Sequence, residues 1–259
     1  MGLLDGKTGL IVGVANERSI AWHIAKNAVA HGATCAFSYL PGEKMEQRVR
    51  RTLQGGGLEE AWLHPCDLKS DDDLDALFEA IKRDFDSLDF VVHSAAFADR
   101  DYLKAGMFAS TPRNVFAQAL DVSAYTLIAV TRRASDLMPN GGSILALSYY
   151  GAEKAAIGYN VMGVAKAALE STARYLAAEL GESGIRVNCL SAGPCRTLSA
   201  MAVGGVEQML DKVETTAPLR RNIETDEVGK AAVYLLSDLS SAVTGETHHV
   251  DAGYHSVAV

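Results

Sequence analysis

The chain has 259 residues, 48% of them hydrophobic and 22% charged, a balance that supports a large buried core and excludes a disordered chain. Its formal net charge of -8, with no basic stripe along it, argues against a nucleic-acid-binding surface. Asp5 and Lys7 break the apolar N-terminal residues before they reach the length of a signal peptide or membrane span, so no membrane partner is expected and the chain is read as cytoplasmic.

No linker or solenoid-period repeat divides residues 1–259, which are read as one domain. Short β-branched runs alternate with longer helical patterns. The first run, Thr8 to Val14, enters a turn at Gly13 and then a helical pattern from Ser19 to His31. A pyrophosphate would lie there, because a helix N-terminus offers unpaired N–H groups and Gly13 keeps a Cβ out of the way. Ser19 is read either as N-cap or as a hydroxyl donor to phosphate. The GxGxxG spacing is absent, so position rather than motif carries the reading.

The second run, Thr34 to Tyr39, ends at Leu40-Pro41, with neither the acidic residue that binds a ribose 2′-hydroxyl nor an arginine for a 2′-phosphate. NADH is favoured there, with NADPH as the alternative, and Lys44 and Arg48 are placed on a solvated helix face. After the third run, Ala61 to His64, Asp67 either accepts from an adenine amino group or stabilises a turn. Ser70 is the predicted cap of a helix over Asp71 to Phe85. The fourth run, Phe90 to Ser94, leads into small residues where a ribose and nicotinamide could approach the backbone, and His93 is read as a satisfied buried histidine. One helical pattern then covers Asn114 to Leu137.

Two Tyr/Lys pairs follow the fifth run, Ser143 to Ser148. Tyr150 and Lys154 stand in YxxxK spacing, which resembles the pair of short-chain dehydrogenases, whereas Tyr159 and Lys166 are seven apart. Lys166 heads a long helical pattern, Gly163 to Leu180, and residues seven apart share a helix face with side chains tilted toward the N-terminus. That favours Tyr159 with Lys166. Gly181 and Gly184 end the helix before the sixth run, Arg186 to Ser191. The stretch from Leu198 to Thr216, small and apolar at first with Gly204 and Gly205, has the composition of a mobile cover or of a helix over the sheet edge. Thr225 is the predicted cap of Asp226 to Leu236, and His248 to Asp251 is the seventh run. The alternation predicts a doubly wound α/β parallel sheet of about seven strands with helices on both faces and ligands beyond the strands' carboxyl ends. Cys35, Cys66, Cys189 and Cys195 lack metal or redox spacing and are read as buried thiols, with no metal site.

The motifs GVANERSIA, LSYYGAEKAAIGYNVMGVAK, SAGPCRT, SDLSSAVTGE and VDAGY together span the chain. It thereby resembles the enoyl-acyl-carrier-protein reductases of bacterial type II fatty-acid synthesis, divergent members of the short-chain dehydrogenase superfamily. The resemblance implies a Rossmann-type fold, a homotetramer, and hydride transfer from NADH to the trans-2 double bond of an enoyl thioester on acyl-carrier protein. It implies Tyr159 as the phenol that donates a proton or stabilises the oxyanion, Lys166 as the ligand of the nicotinamide ribose, and Tyr149 as a second active-site tyrosine. Gly13, Ser19, Ile20, Leu40, Asp67, Leu68 and Ala95 would line the cofactor, with Cys195, Arg196, Thr197, Leu198, Ser199 and Ala200 beyond the sixth strand. Ala98, Tyr149 and Met162 would meet the substrate. The rival readings are a carbonyl (ketoacyl) reductase, using Tyr150 and Lys154 or Tyr159, and an NAD(P)-binding sensor without turnover.

Overall fold

Side chains along the central strands alternate between two apolar layers. Leu10, Val12, Val91, Ile144 and Val187 pack in one, and Ile11, Val92, Leu145 and Leu190 in the other. A sheet apolar on both faces must be covered on both, and parallel strands achieve this with crossover helices. The computed structural model, which describes residues 2–198, 200–202 and 205–257, has this arrangement. Its strands are β1 (Thr8–Val12), β2 (Thr34–Tyr39), β3 (Leu63–Pro65), β4 (Phe90–His93), β5 (Gly142–Ser148), β6 (Ile185–Ala192) and β7 (Thr247–Val250). They form one parallel sheet in the order β3-β2-β1-β4-β5-β6-β7.

The helices are α1 (Ile20–Ala30), α2 (Glu43–Gly55), α3 (Asp71–Asp84), α4 (Arg113–Leu120), α5 (Thr126–Ser135), α6 (Asn160–Leu180), α7 (Val206–Thr216) and α8 (Thr225–Leu236). Buried side chains of α1, α2, α7 and α8 share a core with one face of the sheet, and those of α3, α5 and α6 with the other. Phe37 and Phe90 are fully buried, and each contributes roughly 1.5–3 kcal/mol relative to exposure.

Most predicted elements stand within two residues of their expected ends, and the exceptions have local causes. β1 stops at Val12 because Gly13, at φ +102°, leaves the extended region. Ser70 caps α3 as expected, its hydroxyl oxygen accepting from Asp73 N at 3.1 Å. Thr225 does not cap α8: Glu224 holds that position, and its N–H donates to the Glu227 carboxylate at 2.8 Å. The single helix expected over Asn114 to Leu137 is interrupted by a π-turn, Asp121–Tyr125. Thr126 Oγ1 donates back to the Val122 carbonyl at 2.7 Å, and Ser123 turns inward to another loop.

The strand order reverses between β1 and β4, which pair with Val12 opposite His93. A ligand crevice is expected beyond the carboxyl ends of these two strands, where Gly13 and Ser94 stand side by side.

Candidate active site

The crevice begins with a glycine that nothing else can replace. A Cβ on Gly13 would lie 2.4 Å from the Ser94 carbonyl oxygen, and φ +102° is disfavoured for any L side chain. Ser19 occupies the N-cap position of α1 but does not cap forward. Its Oγ turns back and accepts from Ala15 N at 3.1 Å and Asn16 N at 3.0 Å, so the loop is tied by its own serine. The Ile20 and Ala21 amides, first in the helix, have no intrahelical carbonyl to meet and remain for an anion. The geometry therefore fits a dinucleotide pyrophosphate.

Leu40 is 53% exposed at the end of β2, and Lys44 and Arg48 are exposed on α2. The Asp67 carboxylate accepts from Lys69 N at 3.1 Å and lies 3.5 Å from Lys69 Nζ, so it stabilises its own turn while half-buried. Leu68 and Ala95 pack against the core of the α3 and α5 face.

The loop after β4 is clamped by residues whose importance sequence reasoning missed. Ser123 Oγ, fully buried in the π-turn, accepts from Phe97 N at 3.0 Å and donates to Phe97 O at 3.2 Å. His93 Nε2 meets Thr126 Oγ1 at 2.8 Å. The Thr126 hydroxyl proton already goes to Val122 O, so His93 Nε2 carries the proton and Nδ1 faces no partner among the described residues. The histidine expected to be satisfied is thus only half so, and burial pushes its pKa down to about 3.

Beyond β5 the tyrosines separate. Tyr149 and Tyr159 meet edge to face with ring centroids 4.7 Å apart. Gly151 and Gly163 make room for them: a Cβ on Gly151 would strike Tyr159 Cδ1 at 2.5 Å, and one on Gly163 would strike Gly151 O at 2.7 Å. Burial, reinforced by Tyr254, pushes the Tyr149 phenol up to about 12, and burial beside Tyr149 raises Tyr159 further. Both therefore keep their protons at neutral pH. Tyr159 is the N-cap residue of α6, and Ala98 and Met162 pack in the same small apolar cluster. Tyr150 instead reaches the His255 carbonyl at 3.4 Å, and Lys154 is exposed.

Lys166 is buried, and Nζ donates to the Leu147 carbonyl at 2.6 Å rather than to Tyr159. Burial lowers its pKa to about 8, against the opposing pull of Cys189 and Glu170.

Past β6, Cys195 is buried and its thiol is raised to about 12, which is incompatible with a nucleophile. Arg196 pairs with Glu207 of α7 at 2.8 Å, Thr197 Oγ1 accepts from Ala200 N at 3.1 Å, and Leu198 is 46% exposed. Ser199, and Gly204 of the expected cover, lie outside the described residues. Val203 lies outside them too; of the described part, Ala200–Ala202 forms one 3-10 turn and Val206–Thr216 is α7. α7 buries Val206, Leu210 and Val213, and Met209 Sδ stands 3.7 Å from the Tyr149 hydroxyl.

A family model described as "Enoyl-(Acyl carrier protein) reductase" matches residues 13–255. The enoyl-[acyl-carrier-protein] reductase [NADH] 1 of Rhizobium meliloti is 50% identical over 258 residues, covering 100% of this chain and 93% of that one. The [NADPH] enzyme of Staphylococcus aureus is 48% identical, covering 98% of each. Among solved structures, the Bacillus cereus enoyl-acyl carrier protein reductase with NADP+ and indole naphthyridinone superposes with a TM-score of 0.96 at 49% identity over 100% of both chains. The Anaplasma phagocytophilum enzyme in complex with NAD gives 0.94 at 46% identity, covering 100% of this chain and 97% of that one. With the switch-point crevice and the paired tyrosines already in place, these likenesses identify the chain as a member of the enoyl-(acyl carrier protein) reductase family.

Proposed function

We propose that the chain reduces the trans-2 double bond of an enoyl thioester carried on acyl-carrier protein, with NADH as the cofactor and NADPH as the alternative. The observation that carries this is the Tyr149–Tyr159 pair at the head of the helix that buries Lys166, in a chain whose relatives carry this activity in their names. Bound NADH supplies the hydride. The proton that the α-carbon takes up to complete the reduction comes from Tyr159 or from water.

Gly13, Ser19, Ile20, Asp67, Leu68 and Ala95 form the cofactor crevice, with Leu40 at its outer end and Cys195 to Leu198 at its inner end. Lys166 reaches the nicotinamide ribose from α6 as an ammonium. Ala98 and Met162 meet the acyl chain beside Tyr159. As negative charge builds on the thioester oxygen, the Tyr159 hydroxyl donates to it. That hydroxyl has no hydrogen-bond partner among the described residues, and its raised pKa keeps it a donor. Tyr149 packs the phenol into place.

Residues 1–259 act as one catalytic domain with the 198–216 segment as its cover, α7 closing over Tyr149 through Met209. Tyr125, Ile128 and Tyr175, on the π-turn, α5 and α6, are large apolar side chains exposed at 48%, 40% and 77%, of the kind a homotetramer would bury. No described helix is long and apolar enough to cross a membrane.

The test is NADH oxidation by the purified protein with a trans-2-enoyl thioester and, separately, a ketoacyl thioester. Turnover of the enoyl substrate is expected. Turnover of the ketone alone would contradict the reading.

A further inference from the structure

A carboxylate is seldom buried without a task, because desolvating it is costly unless it is bonded. Glu170 is 7% exposed and has no role in the reaction as set out above. Its Oε1 accepts from Ser148 Oγ at 2.5 Å. One turn earlier on the same helix face, Lys166 donates to the carbonyl of Leu147. Consecutive residues at the end of β5 are thus gripped by consecutive turns of α6.

The position of this grip matters. The β5–β6 ladder ends with Ser148 opposite Ser191, so Tyr149 is the first residue of the chain beyond strand pairing. Its ring packs on Tyr159, which begins the helix that carries Lys166 and Glu170. If the end of β5 moves relative to α6, the Lys166 anchor and the tyrosine pair move together.

We propose that Glu170 is a positioning residue of the reduction site: through Ser148 it fixes the end of β5 against α6, and so keeps Leu147 and Tyr149 in register with Lys166 and Tyr159. The proposal rests on the reading of Tyr149, Tyr159 and Lys166 as the reacting machinery. The groups facing Glu170 agree with a retained hydrogen bond. Glu153 faces it from the turn after β5, Cys189 from β6, His249 from β7, and Lys166 and Arg174 from its own helix. Burial raises its carboxyl and the Ser148 bond opposes that rise.

The experiment compares Ser148→Ala, Glu170→Leu and Glu170→Gln in the full-length enzyme, measuring kcat, both KM values and the thermal midpoint with NADH and a trans-2-enoyl thioester. Glutamine keeps an acceptor for Ser148 and should hold kcat within about threefold, whereas the other two should lose between about tenfold and about a hundredfold in kcat, the scale of a small misplacement of reacting groups. The Ser148→Ala/Glu170→Leu double variant should be no worse than the poorer single, because both remove one bond. Losses confined to the thermal midpoint, with kcat and KM unchanged, would overturn the proposal, as would Glu170→Gln falling as far as Glu170→Leu. Should Glu170→Leu fail to fold, Ser148→Ala against Glu170→Gln decides the matter alone. A Tyr159→Phe control separates the two levels. If it collapses while Ser148→Ala does not, only the positioning role fails; if it too stays active, the assignment of the tyrosine fails.

Discussion

Lys166 carries the sharpest pH signature in the site. Burial brings its ammonium from the ordinary 10.5 to about 8, so half of the free enzyme has lost that charge at the latter pH. kcat/KM for NADH should therefore fall as pH rises through about 8, toward a tenfold loss per unit. Stability responds with the opposite sign. Between about 8 and 10.5 the unfolded lysine still holds a proton that the folded one has released, so this group's contribution to stability rises with pH across that window. Rate profiles and thermal midpoints from neutral to alkaline pH check both halves. A rate profile flat through about 8 would contradict the role given to the ammonium.

The choice of Tyr159 over Tyr150 rests on helix phase, and Lys166 does lie on α6 while Lys154 does not. The direction of the lysine was not legible. Its partner is a backbone carbonyl across the α6–β5 packing, and no local pattern encodes a contact between residues nineteen positions apart.

At the scale of elements, periodicity located the strands because both faces of the sheet are apolar, and it located the helices that cover them. It missed the π-turn because apolar spacing continues across it, although Ala119 of α4 packs in a small cluster with α6 and Leu127 and Val130 of α5 pack in the sheet core. Only the hydroxyls of Ser123 and Thr126, which bond out of register, mark the interruption. Ser123→Ala removes both bonds to Phe97 and should raise KM for the enoyl thioester severalfold, because the loop carrying Ala98 loses its clamp. Circular dichroism should show the fold intact. Gly13→Ala is the harsher change. With a disfavoured φ and a backbone oxygen 2.4 Å from the new Cβ, NADH binding should weaken by at least about tenfold, read as the quench of protein fluorescence on titration. Affinity unchanged from wild type would place the dinucleotide elsewhere.

For the whole molecule, strand order brings every functional segment to one edge. The turns after β1, β4, β5 and β6 all open at the carboxyl ends of their strands, and α7 meets the last two through Met209 and Glu207. This was predictable as a rule of doubly wound sheets, whereas the clamps that set distances within the crevice depend on tertiary contacts and were not. The exposed apolar side chains of Tyr125, Ile128 and Tyr175 make a prediction at this scale: light scattering should report a tetramer, and Ile128→Glu should shift it to smaller species. A monomeric wild type would contradict it.

The most direct test of the account compares kcat/KM for a trans-2-enoyl thioester in Tyr159→Phe and Tyr150→Phe. The hydroxyl of Tyr159 has no hydrogen-bond partner among the described residues and is assigned to the thioester oxygen, while that of Tyr150 is bonded to the His255 carbonyl. Losing a donor that meets developing charge costs on the order of a hundredfold or more. The first variant should therefore collapse by about that factor and the second remain near wild type. The reverse pattern would return the chemistry to the YxxxK pair and contradict the assignment of the site.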